Sequence, residues 1–339
     1  METKIFGTDE KSINQAGAVI SNGGLVAFPT ETVYGLGGNA LDGSSVKNIY
    51  AAKGRPSDNP LIIHIADKAD IEKYTCDINE NAKKLIDAFM PGPFTVILKR
   101  KPIIPDEVTA GKATVAVRFP ENDTAQRLIK AAGVPIAAPS ANISGKPSPT
   151  AAKHVVHDLM GKIDGIIDGG SCDVGVESTI VDATGTVPVL LRPGGITYDM
   201  LIGIVPELEI SEHILKSVGE NEEPLCPGMK YEHYSPDAEV IVVEGEMKAV
   251  KKKITELIEE NKGKVCGVLT TSDNAYDFAV ILQGGMTNRE YCRNLFANLR
   301  EFDNLKVDIV FAEFEERDDY ALTAKNRLYK AAGQRVIKV

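Results

Sequence analysis

The chain has 339 residues, a formal net charge of −10 and a hydrophobic fraction of 43%. This length predicts two domains with packed cores, and the acidic balance argues against a surface that coats nucleic acid, although it leaves room for a local basic cleft. The five cysteines are scattered and form no CxxC pair, so neither a disulfide framework nor a cysteine zinc site is indicated and a reduced, cytoplasmic protein is expected. No apolar run is long enough for a membrane helix, and no secretory signal is expected.

The first two hundred residues alternate short apolar strands with helices in an irregular order. The predicted strands are Leu25–Phe28, Leu61–Ile65, Phe94–Leu98, Thr114–Val117, Pro135–Ala138 and Ser178–Val181. The predicted helices are Ser45–Ala52, Asn79–Phe89, Asp123–Ala132 (with Asp123 as the expected cap) and Ala151–Met160. This irregular order predicts an α+β domain around a mixed, twisted sheet over residues 1–203.

Residues 204–236 have the composition of a linker, because an acidic stretch is followed by PLCPGMKYEHYSP. The density of aromatic residues is higher than an inert tether needs, so we expect this segment to fold back over the active site.

Residues 237–339 alternate strands and helices regularly. The strands are predicted in AEVIVVEG, KVCGVLT, DFAVIL and VDIVFAEF, and the helices over Glu246–Asn261, Thr287–Phe302 and Ala321–Ala332. Thr287 and Glu290 have the spacing of a capping box. The pattern predicts a smaller α/β, Rossmann-like domain with a parallel sheet, interpreted as a docking or regulatory module because it carries no catalytic constellation.

The segment KGRP, residues 53–56, is the sharpest cationic signal. If it is extended, Lys53 and Arg55 lie on one face, where Arg55 can grip an oxyanion with two hydrogen bonds and Lys53 can act as a point charge. The alternative is a solvated pair at the C-terminus of a helix.

Three further segments carry small polar groups next to predicted strands. PSANISGKPSP (139–149) can offer Ser140 and Asn142 to a phosphate or ribose, or it is a surface loop rich in turn residues. In TVAVRFP (114–120), Thr114 and Arg118 share one face, either around a ligand or on an exposed edge strand. PTETVYG (29–35) supplies hydroxyls, and its Glu31 is a base, a metal ligand, or a capping or solvated acid.

Several familiar sites are absent. No GK pair continues as a P-loop, GLGGNA (35–40) is a poor dinucleotide fingerprint, and neither a Ser/His/Asp order nor an HExxH is present. Cations and hydroxyls without a nucleophile favour transfer chemistry, in which positioning and charge neutralisation lower the barrier.

Taken together, these segments resemble the threonylcarbamoyl-AMP synthase family in its long form, with a YrdC-like first domain and an accessory C-terminal domain. The resemblance runs in collinear order over about residues 10–236, through PTETVYGLG, KGRPSDNPLIIHI, PGPFTVIL, TVAVRFP, PIAAPSANISGKPSPT, GGSCDVGVESTIVD, LRPGGIT and PGMKYEHYSP.

The resemblance implies that L-threonine, bicarbonate or CO2, and ATP give L-threonylcarbamoyl-AMP and pyrophosphate. A downstream transferase system then modifies tRNA next to the anticodon, so tRNA itself is expected only as an indirect or weak partner, and no membrane is expected. ATP would be held by Lys53, Arg55, Asn59, Thr114, Ser140, Asn142, Ser148, Arg192 and Tyr231. Threonine would be held by Thr32, His64, Arg118, Ala138 through its backbone, and Ser178.

Lys53 and Arg55 are the expected catalytic cations, no general base is assigned, and Mg2+ is expected with the ATP phosphates instead of on protein ligands. Three alternatives stay open at this point. A hydrogenase-maturation carbamoyltransferase would carry paired CxxC motifs and more domains, an RNA-binding module would show salt-sensitive RNA binding without ATP turnover, and a related pocket would bind a nucleotide without making this adduct.

Overall fold

The structure is a computed structural model that describes residues 2–215, Cys226 and residues 233–339. It divides into two compact units. The first comprises Met1–Ser144 and Ser148–Lys230, and the second comprises Gly145–Pro147 and Tyr231–Val339. The predicted boundaries at 203 and 236 stay predictions. No helix in the described residues has the length and apolar character needed to span a bilayer.

The first unit is built on a mixed sheet. Its strands are β1 (Lys4–Phe6), β2 (Val26–Phe28), β3 (Gly35–Asn39), β4 (Ile62–His64), β5 (Thr75–Cys76), β6 (Phe94–Arg100), β7 (Thr114–Arg118), β8 (Ile136–Ala138), β9 (Gly165–Ile167), β10 (Thr179–Asp182), β11 (Val189–Arg192) and β12 (Glu209–Ile210). They run in the order β1-β9-β2-β3-β8-β4-β7-β6-β10-β11-β12, and β5 pairs with β6. Strand β7 is parallel to β4 and antiparallel to β6, which confirms the predicted mixed sheet.

Helices cover this sheet. They are α1 (Glu10–Ser21), α2 (Gly43–Lys53), α3 (Ile71–Tyr74), α4 (Glu80–Phe89), α5 (Asp106–Thr109), α6 (Asp123–Ala132), α7 (Ala152–Leu159) and α8 (Tyr198–Ile204). Helix α6 buries the apolar face predicted for it, against α1 and the sheet. The expected cap was wrong by one residue, because the side chain of Asn122 accepts from the Ala125 N–H, while Asp123 stands in the first turn, where an acid suits the helix dipole.

Strand β3 is a finding that the sequence did not suggest, because glycine is a poor strand former. A Cβ on Gly37 would lie 2.7 Å from Ile136 Cγ2 and 2.9 Å from Phe28 Cε1. The glycines therefore let neighbouring side chains pack directly over the backbone, and GLGGN acts as a core strand and not as a ligand loop.

The second unit has a sheet in which the described strands are all parallel. They are β13 (Glu239–Glu244), β14 (Cys266–Thr270), β15 (Ala279–Gln283), β16 (Ile309–Phe314) and β17 (Val336–Lys338), in the order β15-β14-β16-β13-β17. The helices are α9 (Met247–Glu260), α10 (Asn288–Asn304) and α11 (Ala321–Ala331). The capping box of Thr287 and Glu290 is present at the start of α10, as predicted. The parallel sheet is confirmed, and the finer Rossmann-like classification stays a prediction.

Candidate active site

Strand register brings three polar residues into one row across the sheet of the first unit. His64 on β4 pairs with Arg118 on β7, and Arg118 pairs with Thr95 on β6. Paired residues of neighbouring strands project to the same face, so these three side chains share one side of the sheet. All three are buried, and they form the floor of the candidate site.

His64 is a neutral imidazole in this setting. Its Nδ1 donates to the carbonyl oxygen of Ile136 at 3.3 Å, because a carbonyl can only accept. Burial, helped by the charge of Arg118, lowers the pKa of His64 to about 3. Its Nε2 therefore carries a lone pair and can accept a hydrogen bond.

A hydroxyl pair stands in the bend that follows β2. Thr30 Oγ1 donates to the carbonyl of Val33 at 2.6 Å, so Thr32 Oγ1 must be the donor in the 2.8 Å bond between the two threonine hydroxyls. Both threonines are buried. Thr32 Oγ1 consequently keeps acceptor capacity.

Ser178, just before β10, is held from two sides. Its hydroxyl bonds to that of Thr95 at 2.7 Å, and Arg192 donates to both its carbonyl and its hydroxyl, the latter at 3.1 Å. Arg192 is also bonded through Nε to the Ser178 carbonyl at 3.0 Å. The geometry thus joins Arg192, for which the resemblance implies a role at ATP, to Ser178, for which it implies a role at threonine.

Glu31 is neither a capping nor a solvated acid. It lies in the bend after β2, and its Oε1 accepts from an Arg118 Nη2 at 2.7 Å. Both partners are buried, so the pair belongs to the interior of the site.

Lys53 departs from the geometry expected for an extended KGRP segment. It is the last residue of α2, and Gly54 caps the helix in the left-handed region at φ 61°. The Lys53 ammonium is buried and donates to the carbonyls of Ser140 and Asn142. The two cations do not share an extended face, because the left-handed glycine separates them.

Arg55 is half-buried beyond this cap. Its guanidinium donates to the carbonyls of Asn59 and Pro60, at 3.3 Å and 3.2 Å from Nη2. Asn59 is buried, and its Oδ1 has no hydrogen-bond partner in the part of the chain that the structure describes. A buried amide oxygen of this kind is available to a ligand donor.

The other predicted residues lie on the same unit. Ser140 Oγ donates to Asn142 Oδ1 at 2.6 Å, and Ser148 donates to the buried Glu177. Thr114 begins β7 and lines a small pocket with Pro60 and Lys112.

Comparisons with known proteins identify the family of the chain. Residues 18–194 match the family model Sua5, YciO and YrdC, described as telomere recombination, and residues 196–333 match the model of the threonylcarbamoyl-AMP synthase C-terminal domain. The threonylcarbamoyl-AMP synthase of Pyrococcus abyssi is 49% identical over 98% of this chain and 97% of its own, and that of Bacillus subtilis is 45% identical over 99% and 97%. The crystal structure of Pyrococcus abyssi Sua5 complexed with L-threonine has a TM-score of 0.95 and 48% identity, and it covers 99% of this chain and 100% of that one.

The chain belongs to the threonylcarbamoyl-AMP synthase family. The family predicted from the sequence is thereby confirmed, and the predicted activity is the one in the names of these relatives.

Within this threonylcarbamoyl-AMP synthase fold, many of the predicted residues fall into two local groups. One group surrounds the strand row with Thr32, His64, Arg118 and Ser178, while Ala138 ends the adjacent strand β8. The other group is the KGRP segment with the loop that carries Ser140 and Asn142. Tyr231 lies outside the described residues, so its assignment stays a prediction, as do the individual ligand contacts.

Three residues of the candidate site were missed or left open in the sequence analysis. Thr95 and Glu177 were given no role in the site. Glu31 was interpreted as a base, a metal ligand, or a capping or solvated acid. A signal existed for Glu31 and Glu177, since each acid precedes a hydroxyl residue beside a strand. The sequence around Thr95 contains no such signal, because a single threonine in an apolar strand is common and does not indicate a site.

Proposed function

We propose that this protein is an L-threonylcarbamoyladenylate synthase. It condenses L-threonine, bicarbonate or CO2, and ATP into L-threonylcarbamoyl-AMP and pyrophosphate. The proposal is carried by two features of the same unit, the buried row of Arg118, His64 and Thr95 and the loop after β8 that Lys53 holds. A buried polar row that contains an arginine suits an amino acid, and the cationic loop suits phosphates.

The threonine subsite is proposed to use Thr32, His64, Arg118, Ser178 and the backbone of Ala138. The Arg118 guanidinium would pair with the threonine carboxylate, the geometry in which arginine forms two parallel bonds. The acceptors left on Thr32 Oγ1 and His64 Nε2 would read the side-chain hydroxyl. A site built around such a hydroxyl rejects analogues that lack it, because its buried groups would then be unpaired.

The ATP subsite is proposed to use two sets of residues. Lys53, Arg55 and Arg192 supply positive charge, and the hydroxyl and amide groups come from Asn59, Thr114, Ser140, Asn142, Ser148 and Tyr231. The orphaned Asn59 Oδ1 supports a contact to an N–H or hydroxyl of the nucleoside. The Lys53 contacts support a role in fixing the loop that presents Ser140 and Asn142.

The chemistry is proposed as attack of a threonine-carbamate oxygen on the α-phosphorus, with pyrophosphate leaving. The carbamate oxygen is already anionic, so the step needs no general base. The protein's share is to orient the two ligands and to neutralise the charge that gathers on the phosphates, which is the task of Lys53 and Arg55. MgATP is the expected form of the substrate, and Mg2+ usually binds through phosphate oxygens with few protein ligands.

The product is a mixed anhydride that water hydrolyses, so a downstream transferase system is expected to receive it and to act on tRNA. All five cysteines carry free thiols, which fits the cytoplasmic location expected for such a reaction.

A pyrophosphate-release assay tests the proposal. Release must depend on ATP, L-threonine and bicarbonate together, and mass spectrometry must find threonylcarbamoyl-AMP. Arg118→Gln should abolish threonine-dependent release of pyrophosphate, whereas Arg127→Gln, at an arginine on the exposed side of α6, should leave this release intact. Release that persists without threonine, or without bicarbonate, contradicts the proposal.

A further inference from the structure

Glu31 and Arg118 form a buried ion pair, so the candidate site contains a carboxylate next to the arginine. Glu31 is 8% exposed and Arg118 is 4% exposed, and they are joined at 2.7 Å. The backbone around Glu31 is fixed as well, since its carbonyl accepts from the Val174 N–H at 2.8 Å and that of Thr32 accepts from Gly175 at 3.1 Å. The carboxylate is therefore held in one place.

Each partner keeps one buried polar atom unused. Within the described residues, Glu31 Oε2 and Arg118 Nε have no hydrogen-bond partner. Buried polar atoms are nearly always bonded, and unpaired atoms of charged groups are especially costly. The pair thus presents one anionic acceptor and one cationic donor side by side, which points to a ligand with the opposite pattern.

An α-amino acid has that pattern, because its ammonium and carboxylate groups are attached to the same carbon atom. We propose that Glu31 Oε2 binds the α-amino nitrogen of L-threonine while Arg118 binds its carboxylate. This inference rests on the proposed function and adds to it a residue that selects the amino group.

The contact persists through the reaction. Threonine carbamate keeps one hydrogen on its nitrogen, so Glu31 Oε2 can accept from that N–H as well. With the nitrogen held there and the carboxylate held by Arg118, the new carbamate oxygens are directed away from Glu31, whose negative charge repels them. Glu31 acts as a binding and orienting residue, and it is not asked to take a proton.

Calorimetric titration with two probes tests the contact. L-Threonine carries the amine, and (R)-3-hydroxybutanoate keeps the carboxylate and hydroxyl but lacks it. The wild type should prefer threonine by on the order of tenfold to a hundredfold, the range expected for a charge-assisted hydrogen bond. Glu31→Gln should lose most of this preference through weaker threonine binding, while 3-hydroxybutanoate binds as before or more tightly. Glu121→Gln, at an exposed acid of the same unit, should retain the full preference.

The outcomes separate the possibilities. If Glu31→Gln weakens both probes equally, or neither, the amine contact is wrong. If Glu31→Gln does not fold, the same two probes are titrated into Glu31→Asp and the wild type. A wild type that binds both probes equally overturns the contact. A wild type that binds neither probe and releases no threonine-dependent pyrophosphate overturns the proposed function itself. Threonine-dependent release with an unaffected Glu31→Gln overturns only the role of Glu31.

Discussion

The Lys53 ammonium donates to both the backbone carbonyl of Asn142, at 2.5 Å, and its side-chain Oδ1, at 3.3 Å. It also reaches the carbonyl of Ser140. A buried lysine placed among carbonyl oxygens fixes the loop that follows β8, so the cation at the end of α2 organises the backbone of the proposed nucleotide subsite.

Replacement of Lys53 should therefore affect folding and turnover together. In Lys53→Met, the buried carbonyls of Ser140 and Asn142 lose a charged donor, so the free energy of unfolding should fall by about 2–4 kcal/mol.

Arg55→Gln, at a half-buried arginine, should lower the free energy of unfolding by about 1 kcal/mol, while it lowers pyrophosphate release strongly. Urea unfolding and the release assay measure both effects. An unchanged urea midpoint in Lys53→Met would show that the clamp contributes nothing to stability.

Thr95 should act on threonine through Ser178. Thr95→Val keeps the shape but removes the 2.7 Å bond between the hydroxyls, so Ser178 loses a constraint. We expect KM for threonine to rise about fivefold to tenfold, equivalent to the loss of about one hydrogen bond, with KM for ATP unchanged.

Thr75→Val is the matched control for Thr95→Val. Thr75 is also buried, but its hydroxyl bonds to the carbonyl of Ile71, away from the strand row. It should lose similar stability in urea while KM for threonine stays at the wild-type value. An equal rise of KM in both variants would assign the Thr95 effect to general destabilisation.

Much of the fold was predictable because its signals are local. The capping box of α10 uses residues three apart, and the apolar face of α6 repeats along the chain, so both can be identified from sequence. Strand β3 was not predictable, since its glycines are explained by the ring of Phe28 and the side chain of Ile136, which only the fold brings near.

The candidate site also has a part that could be predicted from the sequence and a part that could not. Thr32, Arg118 and Ser140 could be predicted as candidate site residues because polar residues cluster around predicted strands. The Glu31–Arg118 pair could not be derived, because the partners are 87 positions apart and meet only through the register of the sheet. Of the two alternatives for KGRP, the extended one was wrong, because Lys53 ends α2 and Gly54 caps it in the left-handed region. The helix C-terminus was the right position, but Lys53 is buried and not solvated, since its carbonyl partners come from a loop that is distant in sequence.

His64 should make stability sensitive to acid. Its pKa is about 3 in the folded protein, against 6.5 for an ordinary histidine, because burial and Arg118 disfavour the charged ring. Above pH 6.5 both states are neutral. As the pH falls from 6.5 toward 3, the unfolded state takes up a proton that the folded state does not, so stability is progressively lost.

The effect of His64 should be visible between pH 7 and pH 5. In urea unfolding, the wild type should lose about 2 kcal/mol more than His64→Gln over this interval, at about 1.4 kcal/mol for each pH unit below 6.5. His157→Gln, at an exposed histidine, should behave as the wild type does. Parallel pH profiles for the wild type and His64→Gln would contradict a depressed pKa at this residue.

Glu313 should be the polar anchor of the second unit. It is fully buried on β16, where its Oε2 accepts from Thr270 Oγ1 at 2.8 Å and from the Thr271 N–H at 2.7 Å. Its Oε1 accepts from Asn274 at 3.0 Å and from the hydroxyl of Tyr276. Burial alone would raise the pKa of Glu313, but these donors outweigh it and the pKa lies below its ordinary value. The carboxylate therefore holds the loop after β14 to the sheet.

In Glu313→Gln, an amide NH2 group replaces one of the two acceptors and faces N–H and O–H donors. Because at least one buried donor then has no acceptor, we expect a loss of about 2–3 kcal/mol in unfolding free energy. Amide hydrogen exchange over residues 270–276 should accelerate most, and the Thr271 N–H should show it directly. Glu260→Gln, at an exposed glutamate on α9, should change neither measurement. If exchange in Glu313→Gln rises equally throughout the second unit, Glu313 stabilises the whole sheet and does not specifically hold this loop.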